Sequence, residues 1–121
     1  MIAMDSQVAK TLKHGEVMDI TTTGRKSGEP RRIELVYHNV DGKVIISGHP
    51  GRPRGWLANL KANPGFTFHL KRSVTADLPA AARVITDREE RERVLAPISR
   101  LWRLDLDLMV ASAPLVEVVF D

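Results

Sequence analysis

Between residues 17 and 48 the chain alternates strand-forming stretches with tight-turn signals, an order that calls for consecutive antiparallel hairpins. Residues 17–23 are rich in β-branched side chains and end at Gly24-Arg25-Lys26-Ser27-Gly28. Pro30 opens a second strand, in which Ile33, Leu35 and Tyr37 alternate with Glu34, Val36 and His38. Asp41-Gly42 is a strong hairpin signal, and KVIISG returns as a third strand.

The segment HPGRPRG is too rich in proline and glycine to be regular. After it, Trp56, Leu57 and Leu60 fit one helical face, with Pro53 near the first turn and Asn63-Pro64-Gly65 as a stop. Phe66, Phe68 and Leu70 alternate in a fourth strand, and residues 74–85 read as a long fifth strand or a bent pair, with Pro79 requiring an edge or a bulge. TDREE has a capping pattern and starts a charged helix that Pro97 is expected to break or kink. A short helical piece at 104–109 and the strand PLVEVVF complete the chain, and residues 1–14 predict a short N-terminal helix or arm with Ile2, Val8 and Leu12 as its apolar positions. The expected fold class is mainly β with flanking helices (α+β): about six antiparallel strands, closed into a small barrel that removes exposed edges.

At 121 residues the chain predicts a single domain spanning 1–121. A net charge of +3 favours anionic partners only weakly, so the clustering of cations matters more than their excess. With no cysteine, disulfides, thiolate metal sites and cysteine nucleophiles are excluded. No run of about eighteen apolar residues and no signal-peptide pattern occur, which predicts a cytoplasmic protein without stable membrane insertion. Aromatic content of 5% and no aromatic–basic platform argue against nucleic acid as a partner.

Two segments carry candidate chemistry. Arg25, Lys26, Arg31 and Arg32 flank Ser27 and Gly28, whose backbone N–H groups suit an anion. A hairpin tip kept soluble by charge is an equal reading of the same residues. Further on, Gly51, Arg52 and Arg54 precede a helix with no Ser, Thr, Asp or Asn to cap it, leaving its first N–H donors available. Brought together, the two segments form one pocket with up to six cations. His14, His38, His49 and His69 show no metal-ligand spacing, so no metal site is expected, and no serine has a recognisable base partner. Asp105 and Asp107 read as surface positions, and Trp56 and Trp102 as core or rim aromatics. A chain offering anion binding and so little proton chemistry would leave the difficult step to a cofactor.

The order T-T-x-G-R-K-S-G-x-P-R-R, a D-G hairpin, a glycine-bearing loop and W-x-x-N-L-x-A-N-P resembles the deazaflavin-dependent nitroreductase and quinone reductase family, on residues 21–64. The resemblance implies a split β-barrel, a homodimer, and hydride transfer from reduced coenzyme F-420 to a small flat acceptor such as a quinone or nitroaromatic, with coenzyme F-420 placed ahead of FMN. It also implies that Lys26 and Arg31 hold the cofactor's phosphate and acidic tail, with Arg25, Ser27 and Gly28 shaping that turn. His49, Pro50 and Gly51 match the loop along the cofactor, and Trp56 and Asn59 the helix behind it. Where many members read S-K-G-G, this chain has G-H-P-G, leaving Arg52 or Arg54 to replace the missing lysine. Tyr37 and Trp102 are the candidate acceptor-side residues, and no catalytic side chain is assigned. The alternative function is a non-catalytic binder of a flavin, haem or lipid-like ligand in the same cleft.

Overall fold

The computed structural model describes residues 4–121; Ile2, expected on the N-terminal helix, lies outside them. Helix α1 (Ser6–Thr11) starts at Asp5, whose carboxylate accepts the N–H groups of Gln7 and Val8. The strands are β1 (Glu16–Thr23), β2 (Pro30–Val40), β3 (Lys43–Ser47), β4 (Gly65–Leu70), β5 (Ala76–Val84) and β6 (Leu115–Phe120). Between them lie α2 (Gly55–Ala62), α3 (Arg88–Trp102) and α4 (Leu106–Ser112). The strands close an antiparallel barrel in the order β1-β2-β3-β6-β5-β4. Asp41 and Gly42 both have positive φ, as a two-residue hairpin turn requires.

Strand alternation creates two cores. Met18, Ile20, Tyr37, Phe68, Leu70 and Val116 fill the barrel, with Val8 and Leu12 of the N-terminal region closing one end and Trp56 and Leu60 of α2 closing the other. On the outer face, Ile45 and Leu115 meet Val94, Leu95 and Ile98 of α3 and Met109 of α4. Residues 44–47 of β3 are therefore all buried, because both faces of that strand are covered.

One expectation changes and one is met. Helix α3 runs through Pro97 without a break, and the N–H of its C-terminal Arg103, in the left-handed region at φ 55°, bonds to the carbonyls of Arg100 and Ser99. Strand β5 starts at Ala76, and its residues 76–79 pair with β4 alone, so Pro79 takes the edge position expected of it. The ladder between β5 and β6 begins only at Ala80, so the missing N–H of Pro79 falls where β6 runs out, and its carbonyl accepts the N–H of Asp121.

Unequal strand lengths also leave a longer open stretch on β2. Strand β2 has 11 residues and β3 has 5, and β3 pairs only with residues 37–40 of β2. Residues 30–36 are bonded to β1 alone, and that open edge faces the segment leading into α2.

Candidate functional site

The basic turn is built by its own backbone. Gly24 N–H donates to Glu29 O at 2.8 Å and Gly28 N–H to Gly24 O at 2.9 Å, while Ser27 Oγ accepts from Glu29 N–H at 3.1 Å. Gly28 sits at φ 72°, and a Cβ on Gly24 would lie 2.7 Å from Ser27 Oγ. Asn59 of α2 then fixes the turn to the barrel. Its Oδ1 accepts the backbone N–H of Arg25 at 3.1 Å and the Arg25 guanidinium at 3.0 Å, and its Nδ2 donates to Thr22 Oγ1 at 3.1 Å. Only 6% of Asn59 is exposed, so these bonds form away from water.

The cations differ in how far their charge is already matched. Arg32 pairs with Asp19 at 2.9 Å, and the other Asp19 oxygen lies 2.7 Å from Lys71 Nζ. Lys71 and Arg32 together hold the Asp19 carboxyl below its ordinary value. Among the described residues, Lys26 and Arg31 have no hydrogen-bond or ion-pair partner, which leaves their charge directed to solvent or a ligand.

These groups line one cleft of about 440 Å³. Its floor is Thr22, Ile33 and the buried Trp56, its rim is Arg25, Lys26, Arg31 and Arg32, and Gly55 opens α2 on its wall. Arg54 is the N-cap of that helix and gives no side-chain capping bond, so the first N–H groups carry partial positive charge with no side chain satisfying them. A flat apolar ring with an anionic substituent fits such a cleft: the ring covers Ile33 and Trp56, and the anion reaches the rim and the helix end.

The second segment divides its cations. Arg54 is turned back on the loop, donating to Arg52 O at 2.9 Å and His49 O at 2.8 Å. A Cβ on Gly48 would sit 2.8 Å from this guanidinium, so Gly48 makes room for it. Burial, and then the charge of Arg52, push the Arg54 pKa down. Arg52 and Arg54 border an adjoining cleft of about 480 Å³ against Ile33, Glu34 and Leu35 on the open edge of β2, sharing Ile33, Gly55 and Trp56 with the first.

The structure thus brings Arg25, Lys26, Ser27, Arg31, Arg32, Trp56 and Asn59 to one cleft, with Arg52 and Arg54 next to it. Gly28 closes the turn from behind. His49 and Pro50 line neither cleft. The His49 ring instead stacks on Trp102 at 5.5 Å and 6°, and Trp102 meets His38 edge-on at 5.0 Å. Tyr37 is 0% exposed inside the barrel, with its hydroxyl donating to Thr11 O at 2.9 Å. Tyr37 and Trp102 are therefore not walls of this cleft. Thr22, Ile33 and Gly55, which sequence reasoning did not single out, are. Alternation on β2 groups Ile33 with Leu35 and Tyr37, yet Ile33 lies beyond the reach of β3 and is 40% exposed.

The family model for F420H(2)-dependent quinone reductase matches residues 2–104. The chain belongs to this family. An F420H(2)-dependent quinone reductase of Mycobacterium tuberculosis is 46% identical over 46 residues, a stretch covering 36% of this chain and 31% of that protein. The chain thus matches about a third of that curated relative's length. Among solved structures, an F420-H2 dependent reductase (FDR-A) superposes with a TM-score of 0.63 over 84% of this chain and 92% of its own, at 24% identity, a likeness of fold. A structure described as a domain-swapped dimer gives a TM-score of 0.62 at 26% identity, over 84% of this chain and 78% of its own. For this family member the closed six-strand barrel with flanking helices is the split-barrel architecture that the sequence resemblance implied.

Proposed function

We propose that this chain is an oxidoreductase that uses coenzyme F-420 to reduce a small flat acceptor such as a quinone or nitroaromatic. The observation that carries the reading is the pairing, in one cleft, of unpartnered Lys26 and Arg31 with an apolar floor of Ile33 and Trp56. Lys26 and Arg31 would hold the anionic groups of the cofactor. Arg25 is set beforehand by Asn59, so less of its freedom is lost on binding. Ile33 and Trp56 exclude water from one face of the ring. When bound, the reduced cofactor supplies the hydride. The protein's share is positioning, which contributes on the order of 7–11 kcal/mol when reacting atoms are well placed.

The test is a fluorescence titration with coenzyme F-420, beside FMN. Lys26→Ala and Arg31→Ala should each weaken binding by about tenfold or more, since a charge-assisted contact is worth roughly 1.5–3 kcal/mol, with thermal unfolding unchanged. Equal affinity in parent and variants refutes the assignment.

One observation favours a second reading, a non-catalytic carrier of the same cofactor. Among the described residues the cleft is lined by no His, Asp, Glu or Tyr, so the proton that follows a hydride to a quinone would come from solvent, a cation or the hydroxyls of Thr22 and Ser27, none of them a general acid tuned near neutral pH. Turnover of menadione with reduced coenzyme F-420 supports the enzyme, and tight binding without turnover the carrier. We also read residues 1–121 as one functional unit that pairs as a homodimer. The domain-swapped neighbour supports this, as does Val36, 39% exposed on β2. Analytical ultracentrifugation should then give twice the chain mass of 13.5 kDa.

A further inference from the structure

On the far side of the loop that carries Arg52 and Arg54 lies a separate groove of about 490 Å³, between α2, the start of α3 and the link from α4 to β6. Its lining includes Arg52, Arg54, Lys61 and Arg91 and no carboxylate. Asp107 lines an adjoining hollow that shares Thr86, Arg91 and Ala111 with the groove. Elsewhere the chain does match its cations: Arg83 bridges Glu90 and Glu117, and Lys71 bridges Asp19 and Glu34. None of the four groove cations has an ion pair among the described residues.

Arg91 shows what the groove lacks. Its guanidinium donates to four backbone carbonyls, those of Val110 at 2.9 Å, Ile85 at 3.0 Å, Met109 at 3.1 Å and Ala113 at 2.6 Å. These bonds hold the position of the head group, but carbonyl dipoles do not cancel a full charge. A guanidinium has five N–H donors, so one remains without a partner among the described residues. The head group is thus fixed before any ligand arrives, which lowers the ordering cost of binding. Lys61 and Arg52 add charge from α2 and the loop, and Thr86 and Ser112 place hydroxyls on the same lining.

We infer that this groove is a second anion site, distinct from the cleft beneath Lys26, which takes a small di- or trianion of clustered phosphate or carboxylate oxygens. Arg52, Lys61 and Arg91, on a lining with no carboxylate, suit several oxygens at once, while the Arg54 guanidinium is held by the loop carbonyls.

The experiment is isothermal titration of the full chain with pyrophosphate and, separately, citrate, at low ionic strength. Arg91 is left intact because its four carbonyl bonds support the fold. Arg52→Ala/Lys61→Ala should weaken binding of the active probe by about tenfold or more, while Lys26→Ala/Arg31→Ala changes it less than about twofold. Binding of pyrophosphate alone assigns a phosphate ligand, and of citrate alone a carboxylate ligand. Absence of binding by both probes, or loss of binding in the Lys26/Arg31 variant with the Arg52/Lys61 variant unaffected, overturns the inference. The titration contains no deazaflavin, so its outcome is independent of whether the first cleft binds that cofactor.

Discussion

Among single residues, Asn59 and Lys26 separate structure from binding. Asn59 is buried and serves three partners, so Asn59→Ala strands Thr22 Oγ1 and the Arg25 N–H and should cost roughly 1–3 kcal/mol. Its unfolding midpoint should drop together with cofactor affinity, whereas Lys26→Ala should lower affinity alone. Urea melts beside the cofactor titration check both. His38 gives a pH dependence. Burial pushes its imidazole below the ordinary value of 6.5, and its Nε2 has no hydrogen-bond partner. The unfolded chain then takes up this proton first, so the stabilisation is present above pH 6.5 and is lost as the pH falls below it, by at most about 1.4 kcal/mol per pH unit. His38→Leu should flatten the stability difference between pH 7.5 and 5.5; an unchanged slope in urea midpoints contradicts this. Residue types in the sequence marked the cations of the turn, while Arg52 and Arg54, expected in the same pocket, border an adjoining cleft. Residue types did not reveal which cations were already used, because Arg32 meets Asp19 only through strand register and Arg54 meets His49 O only through the fold of its loop.

At the level of elements, α1 is held to the barrel by a few polar bonds and two apolar side chains. Tyr37 Oη donates to Thr11 O and Asn39 Nδ2 to Leu12 O, over the packing of Val8 and Leu12. Tyr37→Phe should therefore cost about 1 kcal/mol, and amide exchange should quicken in residues 6–12 and not in β1 or β4. Uniform acceleration across the barrel would contradict that division. The strands were legible because period-two alternation and the Asp41-Gly42 turn act locally. Two features were not. Pro97 stays inside α3, where tertiary packing of Val94, Leu95 and Ile98 outweighs one lost bond. Pro79 has its edge only because β6 runs out beside it, which the sequence does not mark.

For the whole molecule, closing the barrel while β3 stops short leaves one stretch of β2 open, and both clefts lie along it. The fold was readable from the sequence in outline, down to the hairpin order and the uncapped α2. The cleft floor was not, since it depends on where a strand runs out of partners. No described helix is long and apolar enough to cross a membrane. The most direct test of the account is a backbone amide shift map of the full chain on addition of oxidised coenzyme F-420. Shifts should concentrate in residues 22–33 and 55–59, around the cationic rim and the start of α2. Shifts confined instead to the groove of Lys61 and Arg91, or none at saturating cofactor, would contradict it.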